Sequence, residues 1–438
     1  VIPRRLSATI SLDPASTAVV HRRILCGFTL AMMALSWPIW HTNEAIPRFP
    51  VIGLSTVVAG TSSLDPWLVA ICVGGLFLSP RQGVSGRAGA AAVAVSGLAL
   101  VLIDQNRLQA WFYQTLVLSA VYALLPGASA IGFARFFAVA LYFHSALSKL
   151  DWSFAHSMGP SILSPILQNL PFALAPRAQT GIVLALPIGE LLFALALAFG
   201  RFGVGLAGAT LMHVALLILL GPWLLDHSGN VLLWNVSMLL QALVLFAPAG
   251  KAAPLGPDTP EPAPATPPAA LGLVQLGMLV VAILPFFERA GLWDPWPSFA
   301  LYAGHVEQLR IDWPAELKDR VPADYRPFLK PEGGDIVLDL TFWSRARFGV
   351  PPYPAERIHR RLAAWIAATC PDGMPMRAIY LSKADWLTGK RRETVESGQG
   401  RERRWGAPMS RKNESMRPPL SIAGSAIIQL TAAGHSTP

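Results

Sequence analysis

IGFARFFAVALYFHSALS, residues 131–148, runs directly into Lys149-Leu150-Asp151-Trp152. Arg135 is the one Lys, Arg, Asp or Glu in these eighteen residues. A helix that is apolar on every face belongs inside a large core or across a bilayer, and about 20 such residues cross the hydrocarbon. The stretch therefore reads as a membrane span that ends in a polar cluster. The same pattern recurs at Ile24–Trp40, Trp67–Leu78, Ala88–Ile103, Ala110–Leu125, Gly181–Phe199, Val204–Leu225, Val231–Phe246 and Leu271–Phe287. With Ile131–Ser148 these make about nine spans, Trp67–Leu78 being the weakest, and Val51–Ser63 is expected to enter the membrane without crossing it.

Composition agrees. The 438 residues are 53% hydrophobic and 14% charged, against about 25% charged in soluble domains. Residues 1–287 hold 13 of the 35 Lys/Arg and 9 of the 26 Asp/Glu, and the shorter remainder holds the other 22 and 17. The fold class expected is an all-α polytopic bundle with a small α+β domain behind it. Its parts are an N-terminal segment (1–23), the bundle (24–246), a Pro/Ala-rich linker (247–270), a last span (271–287), an α+β domain (288–390) and a disordered basic tail (391–438). In the α+β domain Ile336–Phe342 has strand character and Pro354–Thr369 a helical pattern, with His359-Arg360-Arg361 on a solvated face. The net charge of +9 is explained by orientation in the membrane, not by nucleic acid. Arg4, Arg5, Arg22, Arg23, Arg81, Arg87, Arg135 and Arg201 fall on one side if nine spans alternate, and that side is the cytoplasm. Asp104–Gln109, Lys149–Gln179, Asp226–Asn230 and everything after Phe287 then lie outside. Arg48, Arg107, Lys149 and Arg177 on that side keep the bias from being clean. No signal-peptide pattern is read. Cys26, Cys72 and Cys370 match neither a disulfide framework nor a metal site.

A charged side chain at the bilayer centre costs about 2.5–3.5 kcal/mol on insertion scales, so each asks for a partner or a task. Glu190 and His213 lie near the middle of consecutive antiparallel spans, at similar depth. They are expected to face each other, as a proton-handling pair or as a polar clasp that fixes packing. Tyr142, Ser145, Lys149 and Trp152 share one helical face, and His144, Ser148 and Asp151 the adjacent one. Lys149 is either a lysine snorkelling to the interface or a base kept uncharged by apolar surroundings, which Asp151 nearby would oppose. The turn from Asp104 through Arg107 to Trp111 is either a capped hairpin with an aromatic anchor or the rim of an outward-facing site, which Asp226-His227 also reaches. Gly205 and Gly208 read as close helix packing. His305, Asp312, Asp335, Asp339 and Cys370 have no site-like spacing. No phosphate loop, zinc helix or nucleophile elbow occurs.

The segment YFHSALSKLDWSFAHSM, Tyr142–Met158, resembles the helix-end motif of the vitamin K-dependent γ-carboxylases and their bacterial relatives with the HTTM domain. Lys149 matches the second residue of that family's lysine pair, Leu150-Asp151 and Trp152 the positions after it, and Ser157-Met158 its turn. Glu190 falls where the family has a glutamate, and His213 where a histidine precedes an apolar stretch ending in glycine, here Gly221. Ser148 stands in place of the first lysine, and the gap between Asp151 and Trp152 is shorter. Asp104-Gln105, Arg107 and Trp111–Gln114 look more like the bacterial members and the DoxX/MauE-like redox-associated membrane proteins. The likeness covers about Ile24–Phe246.

What the resemblance implies is a redox-linked membrane enzyme using a lipid quinone or hydroquinone. Lys149 would be the catalytic base, with Glu190 and His213 orienting or relaying protons. Tyr142, His144, Asp151 and Trp152 would line the cavity, under the Asp104–Arg107–Trp111 turn. The alternative is a non-catalytic partner of a periplasmic redox system, or a scaffold. A transporter would need a midplane site between repeats, and no internal symmetry is visible.

Overall fold

The computed structural model describes residues 13–41, 47–51, 64–169, 171–172, 174–247 and 267–399. Residues 52–63, 248–266 and 400–438 lie outside them, so nearly all of the expected membrane-entering segment, most of the linker and most of the expected tail go undescribed.

Every apolar run forms a helix. The first, α1 (Pro14–Leu35), starts on Asp13, whose carboxylate accepts from the Ala15 and Ser16 amides at 2.8 and 3.0 Å, with Pro14 ready-set for the first turn. It begins inside the segment expected to precede the first span. A one-turn helix, Trp37–Trp40, follows. Then come α2 (Asp65–Leu78), α3 (Gly83–Ile103), α4 (Ala110–Leu124), α5 (Gly127–Ser148), α6 (Gly159–Leu167), α7 (Pro176–Ala198), α8 (Phe202–Leu220), α9 (Gly229–Phe246) and α10 (Pro268–Ile283). Seven of these, α1, α3, α5, α7, α8, α9 and α10 with its 3₁₀ extension to Phe287, are long and apolar enough to cross a membrane. The other two apolar runs, α2 and α4, have 14 and 15 residues. At 1.5 Å per residue they span about 21 and 22 Å, short of the roughly 30 Å hydrocarbon. The expectation of about nine full spans is thus reduced to seven helices of spanning length and two shorter ones.

α2 packs on α3, α3 on α4, α1 against α9, α5 against α7, and α8 against both α7 and α9. Gly205 and Gly208 do let α8 press onto α7. A Cβ on either would stand 2.5 Å from Leu197 Cγ or 2.6 Å from Phe193 Cβ.

Behind the bundle lies a five-stranded antiparallel sheet in the order β2-β3-β1-β4-β5. Its strands are β1 (Gln308–Pro314), β2 (Leu329–Glu332), β3 (Asp335–Leu338), β4 (Pro375–Leu381) and β5 (Glu393–Gln399). Two helices, α11 (Leu340–Phe348) and α12 (Glu356–Thr369), accompany it. Ile358, Leu362 and Ile366 of α12 recur every four residues and are buried with Ile311 and Trp313 of β1, the apolar stripe that docks a helix on a sheet. Three expectations change. Strand character stops at Leu338, because Asp339 caps α11 through the Phe342 amide. His359 sits on the buried face of α12, where burial pushes its pKa down to about 4. β5 occupies part of the segment expected to be disordered, because its backbone completes the edge of β4.

The sheet domain rests on one end of the bundle. Asn230 Nδ2 donates to Gly349 O at 3.1 Å, Gln105 Nε2 to Asp294 at 2.8 Å, and Arg361 Nη1 to Pro50 O at 3.0 Å. With His305 Nδ1 on Asp151 at 2.7 Å, the turn after α3, the segment after α5, the start of α9 and the chain beyond Phe287 share an end of the bundle.

Candidate functional site

α5, α7, α8 and α9 bring six polar side chains into the bundle. Tyr142, Ser145 and Lys149 project from one face of α5 because they are three and four residues apart. Lys149 Nζ donates to Glu190 Oε2 of α7 at 2.7 Å and to Ser145 Oγ at 2.7 Å. Both members of this ion pair are buried. Beside it, the Tyr142 hydroxyl meets His213 Nε2 of α8 at 2.9 Å, and His213 Nδ1 meets Asn235 Oδ1 of α9 at 3.0 Å. The Asn235 amide nitrogen is committed to the Val231 carbonyl at 2.9 Å, so its oxygen faces the ring and accepts. His213 then donates through Nδ1 and accepts the phenol proton at Nε2, a neutral tautomer set by its two neighbours.

The expected direct contact between Glu190 and His213 does not form. Their depth is similar, but Lys149 takes the carboxylate, and the ring of Tyr142, packed edge-on against Phe193 at 5.0 Å, takes the imidazole. Lys149 does not snorkel to the interface, because a buried acid lies within reach.

The remaining candidates lie elsewhere. His144 points to the opposite side of α5, where Nε2 donates to Ala282 O at 3.0 Å and the ring meets Phe286. Trp152 leaves the shared face because α5 ends at Ser148, and a π-helical turn, Phe154–Met158, redirects the chain. Its ring stacks on His156 at 4.5 Å. Asp104 caps its own turn, accepting from Asn106 N at 3.1 Å and Phe49 N at 3.3 Å, and burial raises its pKa despite Arg107. Arg107 turns away from Lys149 and grips Asp65 with two bonds of 3.1 and 2.7 Å, adding Ile39 O at 2.8 Å. Trp111 packs among Trp40 and Phe112. The expected cavity formed by Lys149, Tyr142, His144 and Trp152 under the Asp104–Trp111 turn is therefore not assembled. The structure does contain a cleft of about 410 Å³ between α5 and α10, lined by residues such as Phe133, Phe136, Gln275 and Met278. Lys149 does not line it.

Asp151 belongs to a second cluster, at the seam between bundle and sheet domain. It accepts from Phe154 N at 2.6 Å, Arg289 at 3.1 Å and His305 Nδ1 at 2.7 Å, and His305 Nε2 meets Glu288 at 2.9 Å. Lys383 closes the cluster on Glu288 at 2.7 Å. Burial works against charge on all three central groups, yet their mutual bonds prevail. The carboxyls of Asp151 and Glu288 are held below their ordinary range and the imidazole of His305 above it.

Sequence reasoning missed Asp65, Asn235, His305 and Glu288. Asp65 stands two residues before the weakest apolar run, which itself carries no charge, and that was a usable signal. Glu288 and Arg289 stand at the foot of the last span, but nothing local ties them to Asp151. Among the described residues no group of three His, Cys, Asp or Glu side chains is placed to hold a metal ion. Comparison with protein-family models, with curated proteins and with solved structures finds no match for the chain.

Proposed function

We propose that this multi-pass membrane protein is an enzyme of the HTTM/γ-carboxylase-like class whose working centre is the pair Lys149–Glu190, handling the proton of a lipid-soluble hydroquinone on the non-cytoplasmic side. The observation that carries this reading is the 2.7 Å contact between the two buried side chains. In the proposed step Lys149 Nζ, held against Glu190, passes one proton to the carboxylate and takes the proton of a hydroquinone hydroxyl, which leaves the hydroquinone as its anion. Ser145 holds the amine in place, and the neutral Tyr142–His213–Asn235 chain supplies a second route for proton exchange beside it. The apolar walls keep water away, so the proton transfer is not short-circuited.

A second reading has its own support. Lys149, Glu190, Tyr142, His213 and Asn235 are all absent from the buried polar groups that lack a partner, and Lys149 does not border the described cleft. A network satisfied within itself suits a clasp in a non-catalytic redox partner or scaffold.

Purification in mild detergent, extraction and spectroscopic identification of bound quinone, and a hydroquinone-dependent turnover assay separate the two. A bound quinone and turnover lost in Lys149→Arg, with thermal stability kept, support the enzyme. No quinone, together with a co-purifying thiol-redox protein, overturns it in favour of the partner. Reporter fusions at Thr17 and Asp335 test the orientation, with the first expected in the cytoplasm and the second outside.

A further inference from the structure

The loop between β4 and β5 carries two large apolar side chains that the sheet domain does not use. Trp386 is 53% and Leu387 78% exposed. The loop is not slack. Asp385 N donates to Lys390 O and Gly389 N to Asp385 O, each at 2.9 Å. The Asp385 carboxylate is folded inward, accepting from Leu387 N at 3.2 Å, Thr388 N at 2.9 Å and Thr388 Oγ1 at 2.7 Å. The tip is therefore a closed turn, and its acid faces its own backbone.

The turn is fastened where spans end. Trp386 Nε1 donates to Leu150 O, and Trp152 N donates to Trp386 O at 3.0 Å. Leu150 lies two residues past the end of α5. Arg289, two residues past the last span, stands over the Trp386 ring at 5.5 Å. Gly389 lies directly on the Trp152 ring, with a φ of +66°. Phe286 and Phe287, the last residues of that span, are exposed, as is Leu292 just beyond. Phe287 precedes by two residues the Arg289 that stands over the Trp386 ring, so the turn lies beside the end of that span. Lys390 beside it is an exposed cation, as is Arg392.

We infer that the Trp386–Leu387 turn is a membrane-surface contact, seating the sheet domain on the lipid beside α5 and α10. A tryptophan fixed by its N–H at the end of a span, with an apolar neighbour pointing out and cations around it, matches the interfacial zone of a bilayer. There the indole bridges wet and apolar layers, and Lys and Arg meet anionic headgroups. The occupant is lipid because the turn continues the rim of the spanning helices.

The test uses the full-length protein with Leu387→Cys carrying an environment-sensitive fluorophore, in bilayers of phosphatidylcholine and phosphatidylglycerol. The three native cysteines are buried, so the label goes to the introduced one. Asp372→Cys, at the sheet end away from the bundle, is the reference. The expected result is blue-shifted emission at position 387, quenched by a headgroup-level spin label on lipid and shielded from iodide, with the reverse at 372. Quenching by iodide at 387 overturns the inference. Shielding from both quenchers also overturns it, and points to a protein partner.

Discussion

Lys149 and Glu190, on α5 and α7, form a buried ion pair at 2.7 Å, with Ser145 on the other side of the ammonium. The two helices that carry the pair are thereby fixed in rotation as well as depth. Removing one member strands the other charge in an apolar bundle, which costs about 3–5 kcal/mol in buried pairs. Glu190→Leu and Lys149→Met should each lower the melting temperature in detergent, and the double variant should recover much of the loss. Melting temperatures equal to wild type for both single variants would show that the pair is not structural.

Arg107 and Asp65 should behave as a stability anchor without part in any chemistry. Both are essentially fully buried, and Arg48 also reaches Asp65 at 3.1 Å. Arg107→Lys keeps the charge but loses the two-pronged grip, and Arg107→Met strands Asp65, a loss of about 3–5 kcal/mol. The expected order of melting temperatures is wild type, then Lys, then Met. A hydroquinone assay, normalised to folded protein, should not distinguish them.

The cluster at the seam predicts a pH dependence. His305 faces Asp151, Glu288 and Arg289, with Lys383 behind Glu288. Its folded pKa is raised above 6.5, so its stabilisation is complete below about that pH and is lost as pH rises through the folded value. The folded values of Asp151 and Glu288 are lowered from 3.8 and 4.5. Their stabilisation is present above those values and is lost as pH falls through the folded ones. Wild type should therefore outlast His305→Gln most clearly in mildly acid solution, and the gap in melting temperature should narrow toward alkaline pH. A gap that stays constant from mildly acid to alkaline solution would remove His305 as the titrating group.

Gly389→Ala is a local test of docking. Its φ of +66° and its position on the Trp152 ring leave no room for a Cβ. The substitution should cost about 1–3 kcal/mol from backbone strain alone. Faster amide exchange is expected at Trp152, whose N–H is held by Trp386, while Tyr142 and Ser145 in the bundle should keep their protection. Unchanged exchange at Trp152 would count against a rigid docked turn.

The residues of the candidate centre were legible to different degrees. Lys149, Glu190, Tyr142 and His213 stood out because each is a polar group in an apolar run, and all four take part in one polar layer. Trp152 was misplaced because helical spacing was carried past Ser148, where the helix stops. His144 was misplaced because a single helix face says nothing of which neighbour it meets. His305 was passed over because 154 residues separate it from Asp151, and no local pattern records a contact of that span.

By itself the sequence determined that this chain builds long apolar helices and roughly where along it they lie. Those are one-dimensional properties: the length of an apolar run, and depth measured in residues from a span's end. Only the tertiary structure decided who pairs with whom. Depth follows from counting along a helix, but the direction a side chain faces depends on how each helix is rotated and which neighbour it packs against. So Glu190 and His213 share a level and yet take different partners, and Arg107 closes on Asp65 across the bundle end. The same holds for the seam, where Asp151 and Glu288 become a site when the sheet domain delivers His305 between them.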